Sequence, residues 1–209
     1  MCGIIGILSN RNVSENILEG LKRLEYRGYD SAGIATVLNG KMDRRRAEGK
    51  LRNLEKQLDE MPLEGVLGIG HTRWATHGLP TEMNAHPHMT DKVAVVHNGI
   101  IENYKDLKQE LEGYQYRFET QTDTEVIAHL VTHYLTQGHE PWEAVLASLE
   151  KLKGAFAIAV IFAGKNDLMI GARQGTPLAL GYGAVNDNDV RDMYLASDSY
   201  ALAPFTKDI

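Results

Sequence analysis

Three observations predict an α+β fold with antiparallel sheets for this 209-residue chain. Short β-rich runs lie next to one another in sequence, and helical stretches are collected in blocks between them, not in strict β-α-β alternation. Asn39-Gly40 joins two such runs at hairpin spacing. The length suits one large domain with its own core. Ile4–Leu8 reads as a strand rising straight from the N-terminus. Ser14 is placed as the N-cap of a helix in which Ile17, Leu18, Leu21 and Leu24 recur at helical spacing until Arg27-Gly28. Gly33–Leu38 and Met42–Ala47 form the hairpin, and a helix over Leu51–Glu60 follows. Strands are expected at Val66–Thr72 and Val93–His97. Helices then fall near Tyr104–Glu112, Thr124–Gln137 and Trp142–Leu152, with strands near Phe156–Phe162, Leu168–Ala172, Leu178–Leu180 and Met193–Ala196. No internal repeat or linker interrupts them, and no closing element is evident after Ser197–Tyr200, as in a fragment.

Composition narrows the function classes. A single cysteine forms no internal bridge, and the Met-Cys-Gly-Ile start lacks the basic and apolar regions of a signal peptide, so a reducing cytoplasm is expected. No apolar run approaches the roughly 18 residues of a membrane span. Net charge is −6, and Arg44-Arg45-Arg46 is flanked by Asp43 and Glu48, so neither a membrane nor a nucleic acid is expected as a partner.

The lone cysteine is Cys2. Once Met1 is removed, its thiol shares a residue with a free α-amine of pKa about 7.7–8.0, a nucleophile beside its own base. Three clusters accompany it. Glu25–Gly33 is dense in polar and aromatic groups between a helix and a strand, and reads as a site wall more readily than a plain turn. His71–Gly78 contains Arg73, which can grip a carboxylate with two parallel hydrogen bonds, and Thr76 and His77 as further donors. The bland alternative is a surface arginine stacked on Trp74. His97-Asn98-Gly99 places an amide side chain and a glycine N–H just past a strand. Such a pair is commonly a turn, yet it also supplies the two donors of an oxyanion hole.

Cys2-Gly3-Ile4, Tyr26-Arg27-Gly28-Tyr29-Asp30-Ser31-Ala32-Gly33, His71–Gly78, Asn84-Ala85-His86-Pro87-His88 and His97-Asn98-Gly99 together resemble the class II, N-terminal-nucleophile glutamine amidotransferases. The branch they resemble is the glutaminase domain of glucosamine-6-phosphate synthases. Thr120–Glu125 and Arg173–Leu178 extend the likeness over essentially the whole chain, residues 1–209. The resemblance implies a four-layer αββα sandwich and hydrolysis of the side-chain amide of L-glutamine through a Cys2 thioester, with no cofactor. It also implies roles: Asn98 and Gly99 as the oxyanion hole; Arg73, helped by Thr76 and His77, on the substrate α-carboxylate; Asp123 on the α-ammonium; Trp74 and Gly99 as backbone contacts. His86 falls on a mobile loop beside the pocket and Arg27 in a supporting place. Without the resemblance, Asp123 reads first as a helix cap. Ammonia would pass to a sugar-isomerase domain that this chain lacks and that makes glucosamine 6-phosphate from fructose 6-phosphate. This chain is then expected as a monomer or weak dimer, and the full enzyme as a homodimer.

Other readings are a glutaminase domain of a different class II amidotransferase, or a non-catalytic glutamine-binding domain with Cys2 as a small buried hydrophobe. Eight histidines invite a metal site, but the His129/His133 pair lacks the glutamate of a His-Glu-x-x-His motif, and no metal is expected.

Overall fold

A computed structural model describes residues 2–185 and 191–209. Its strands and helices are β1 (Gly3–Leu8), α1 (Ser14–Leu24), β2 (Ser31–Leu38), β3 (Lys41–Glu48), α2 (Leu51–Glu60), β4 (Leu67–Arg73), β5 (His88–Met89), β6 (Val93–Gly99), α3 (Tyr104–Gly113), α4 (Thr124–Thr136), α5 (Pro141–Lys151), β7 (Phe156–Phe162), β8 (Met169–Gln174), β9 (Ala179–Val185) and β10 (Arg191–Ala196). They form a six-stranded sheet in the order β3-β2-β4-β1-β10-β9 and a four-stranded sheet in the order β5-β6-β7-β8. Neighbouring strands within both sheets run antiparallel.

The core explains the layering. One hydrophobic cluster, with Ile5, Ile7, Ile17, Leu21 and Leu54, joins α1 and α2 to the outer face of the six-stranded sheet. A second, with Val93, Val95, Ile127, Val131, Val145 and Ile158, joins the later helices to the four-stranded sheet. The third, with Ile4, Leu67, Ile69, Ala94, Val96 and Ala157, fills the space between the sheets. Three interfaces make four layers, an αββα sandwich. Successive side chains on a strand point to opposite faces, so Ile4 and Ile5, or Val95 and Val96, serve different clusters. That is why these strands are apolar along their length instead of alternating.

Local signals largely coincide with the elements. Asn39 and Gly40 take positive φ of 50° and 76°, as the tight β2–β3 hairpin requires. α5 begins with Pro141 at its first turn and a reciprocal capping box between Glu140 and Glu143. Ser14 is not the cap of α1. Val13 holds that position, Ser14 is already helical, and the Asn12 side chain accepts the Ser14 N–H at 3.2 Å. The strand foreseen at Leu178–Leu180 runs on as Ala179–Val185, and the two-residue β5 was not foreseen because its signal is too short for any periodicity.

The inter-sheet layer is the interface both sheets share, and Ile69 within it is fully buried, whereas Leu146 on α5 is about half exposed at 49%. Ile69→Ala is expected to lower the free energy of unfolding by about 3 kcal/mol and Leu146→Ala by under about 1 kcal/mol, measured by urea denaturation. Equal costs at the two positions would contradict this layering.

Candidate active site

Strand parity assembles the site. Ile4 faces the inter-sheet layer, so Cys2, two residues earlier, starts out toward the same side. Leu67 and Ile69 place His71 there on β4, and Ala94 and Val96 place Asn98 there on β6. β1 lies inside the six-stranded sheet between β4 and β10, with Gly3 opposite Thr72 and Ile4 opposite His71. Cys2 is therefore held at the head of a doubly paired strand.

The Cys2 thiol donates to the Trp74 carbonyl at 3.4 Å and accepts the Trp74 N–H at 3.2 Å. Burial pushes the thiol pKa up, and the Trp74 hydrogen bond only partly opposes it. A buried, protonated thiol needs a base before it can attack. The Cys2 carbonyl accepts from the Asn98 amide nitrogen at 3.2 Å and from Arg27 Nη1 at 3.3 Å. Arg27 is in turn paired with Asp198 at 2.7 Å and reaches Ser197, whose hydroxyl accepts the Ile4 N–H at 2.9 Å. A cleft of about 520 Å³ is lined by Cys2, Arg27, Trp74, Thr76, Asn98, Gly99, Ile100, Thr176 and Pro177. Trp74 is 53% exposed at its rim. Gly99 takes φ of 121°, and a Cβ there would stand 2.1 Å from the Ala155 carbonyl, so only glycine fits this turn out of β6.

Arg73, His77 and Asp123 do not line that cleft. Arg73 is buried and donates to the carbonyls of Leu79, at 3.2 Å, and His77, while Asp30 lies 3.9 Å away. Asp30 also accepts the Ala75 N–H at 2.6 Å, so it pins both ends of the 73–75 turn. His77 packs its ring edge-on against Tyr104 at 5.3 Å. Asp123 stands at the N-cap position of α4 but makes no side-chain cap bond. Its carboxylate accepts the Ile101 N–H at 2.8 Å and ties the helix start to the segment after Gly99. The cap function falls to no side chain there. Glu125 instead gathers the Glu119 and Thr120 N–H groups and the Thr120 hydroxyl; burial would raise its pKa, but these bonds and His129 hold it down at about 2.

His86 is not on an open loop. It is buried with its ring 4.1 Å from that of His71, and its Nε2 meets the Thr124 hydroxyl at 2.7 Å because the 84–88 segment tucks under the start of α4. His97 reaches the same hydroxyl at 2.9 Å, and His88 that of Thr122 at 3.0 Å. Among the described residues no three His, Cys, Asp or Glu side chains converge as metal ligands. Asp30, His71, Thr176 and Pro177 were read only as parts of longer segments, without individual roles, and Ser197 and Asp198 were not singled out. Asp30 sits inside the dense Glu25–Gly33 segment and Ser197-Asp198 directly after a strand, the kind of position at which sites are built. The removal of Met1 lies outside the described residues.

An αββα sandwich with its thiol at the head of an interior strand defines the class of N-terminal-nucleophile hydrolases. The sequence profile described as a glutamine amidotransferase domain matches residues 71–204, and the chain belongs to that family. It is 62% identical over all 209 residues to a protein of Brucella suis biovar 1 (strain 1330) and 60% to one of Bradyrhizobium diazoefficiens, both called glutamine–fructose-6-phosphate aminotransferase [isomerizing]. The chain spans 33% of the length of each. Among solved structures, the glutamine phosphoribosylpyrophosphate amidotransferase from B. subtilis, complexed with ADP and GMP, matches 97% of this chain and 43% of its own at TM-score 0.79 and 29% identity. An allosteric regulatory enzyme of purine biosynthesis matches the same shares at 0.80 and 30%. No helix among the described residues is long and apolar enough to cross a membrane.

Burial holds the imidazoles of His71, His86, His88 and His97 neutral, that of His71 down to about 3. In the unfolded chain each protonates near pH 6.5, so unfolding takes up protons below that value and stability falls as pH drops through it. Urea unfolding should show stability falling between pH 7 and pH 5, with a loss on the order of 2 kcal/mol from His71 alone. A stability flat across this range would contradict the buried, neutral cluster.

Proposed function

We propose that residues 1–209 are a glutaminase domain that hydrolyses the side-chain amide of L-glutamine to glutamate and ammonia. The observation that carries this reading is the Cys2 thiol at the head of β1, between the Trp74 backbone and the Asn98–Gly99 turn, on the wall of the cleft. With Met1 removed, the α-amine of Cys2 accepts the thiol proton, directly or through a water, and the sulfur attacks the amide carbon of glutamine. Asn98 Nδ2 and the Gly99 N–H stabilise the oxyanion that forms. The protonated amine then gives its proton to the leaving nitrogen, ammonia departs, and a γ-glutamyl thioester remains. Water attacks the thioester, the sulfur leaves, and glutamate is released.

Arg73 and Asp123 offer opposite charges for the two ends of an amino acid. The α-carboxylate would take the place of the His77 and Leu79 carbonyls on Arg73, with Thr76 and His77 alongside, and the α-ammonium would meet Asp123. A simple amide offers neither the carboxylate nor the ammonium that these two charges would take, which favours glutamine. Arg27 supports the site by holding the Cys2 carbonyl. In the longer protein the ammonia would pass to a sugar-isomerase domain that uses it to aminate fructose 6-phosphate; the names of the relatives and their threefold greater length support this. We place the protein in the reducing cytoplasm, where its one thiol stays free, with this part alone monomeric or weakly associated and the longer protein a homodimer.

The test is release of glutamate and ammonia from glutamine by the purified chain, with its intact mass recorded. A mass short by one methionine should accompany activity, whereas a retained Met1 should lower the rate by about 10²–10⁴-fold through loss of the base. Cys2→Ala is expected to abolish hydrolysis and keep glutamine binding, and Asn98→Ala to lower kcat by about 10²–10³-fold. Hydrolysis unchanged in Cys2→Ala would overturn the reading, and binding of glutamine by the parent chain without hydrolysis would indicate a sensing domain instead.

A further inference from the structure

His71 is fully buried on β4, two residues before Arg73, and the chemistry above leaves it without a role. Its Nε2 lies 3.0 Å from the His97 carbonyl oxygen and 2.9 Å from Asn98 Oδ1, on the opposite sheet. A carbonyl oxygen can only accept, so Nε2 carries the proton. The Asn98 atom facing it must then also accept, which makes that atom the amide oxygen and fixes the NH2 on the other side, where it points at the Cys2 carbonyl at 3.2 Å. The other tautomer would set an Nε2 lone pair against two oxygens. It would also leave a proton on Nδ1, which has no hydrogen-bond partner among the described residues.

We propose that His71, as the neutral Nε2–H tautomer, is the positioning residue that locks the Asn98 amide with its NH2 toward the Cys2 end of the cleft. Without that donor only the bond to the Cys2 carbonyl would orient the amide, and each flip would present its oxygen to the developing oxyanion and repel it. His71 removes that alternative before substrate arrives, the preorganisation on which an oxyanion hole depends. The two sheets supply the geometry: the donor rides on β4 beside β1, and the acceptor on β6. Gly99 follows directly, so the same bond also steadies the turn that carries the second proposed donor.

This inference rests on the glutaminase reading for its kinetic consequence but not for its proton assignment, so two arms test it. In the first, His71→Phe removes the donor, and His71→Gln restores an N–H at similar reach. Expected for His71→Phe is a fall in kcat of about 10²-fold with KM and the rate of Cys2 alkylation by iodoacetamide within about threefold of the parent, since alkylation forms no oxyanion; His71→Gln should recover about tenfold or more. A kcat of His71→Phe within about threefold of the parent overturns the proposal, as does a joint loss of kcat and alkylation that His71→Gln fails to restore. In the second arm, nitrogen NMR of the histidine rings in the parent chain at pH 7 reads the His71 tautomer even if a variant does not fold. Nε2–H supports the proposal and Nδ1–H, or a charged ring, overturns it. A parent chain that shows Nε2–H but never hydrolyses glutamine refutes the glutaminase reading and not the assignment of this proton.

Discussion

A cross-sheet polar seam governs the rest of the molecule. The Asn98 side chain gives a hydrogen bond to the Cys2 carbonyl and takes one from His71, so one amide joins β6 to both β1 and β4. Between the seam and the far end, where the β2–β3 turn bonds to the segment after β7 through Gly164 N–H and the Gly40 carbonyl at 2.8 Å, the facing strands pack through apolar side chains, which are non-directional. The seam is directional, and it lies at the end of the layer where β1 begins. Arg27 and Ser197 tie the same first residues from the other flank. Cys2 and Ile4 are thus tied to three other segments, where chain ends in most proteins are loosely ordered.

The histidines beneath the seam show what burial does to the chemistry. Each bonded imidazole sits within reach of a threonine hydroxyl or of an oxygen, and each stays neutral because a charge there would be desolvated. Neutral rings serve as fixed donors and acceptors. Arg73, Asp30, Arg27 and Asp198 lie at the ends of the strands or on the turns beyond them, and they pair with one another or with backbone.

Most of this was legible because local patterns and the global fold agree. The apolar runs at Ile4–Leu8, Val93–His97 and Phe156–Phe162 are strands buried on both faces, and the Asn39-Gly40 turn could serve only a hairpin. Cys2, Asn98 and Gly99 were singled out as a site by the family resemblance, since by themselves an Asn-Gly after a strand is commonly a turn and a lone cysteine is often a small buried hydrophobe. What escaped was set by three-dimensional context. Asp123 precedes a helix in the way a cap does, yet the Ile101 N–H competes for its carboxylate and wins. His86 looked like a loop residue because nothing in Asn84–His88 reveals that the segment folds beneath α4. His71 lies among polar neighbours, and its partner Asn98 is 27 residues away on the other sheet. No sequence spacing encodes such a contact, and β-strand parity reveals it only once the sheets are paired.

In the proposed reaction the tethered Cys2 sulfur is the atom that acts. The most direct measurement is to mix the chain with glutamine, quench in acid within the first turnover, and determine the mass of the N-terminal peptide. A peptide that begins at Cys2 and carries one glutamyl group in a bond cleaved by hydroxylamine is the result predicted. Ammonia release with the N-terminal peptide never modified, or a glutamyl group found on any other residue, would contradict it.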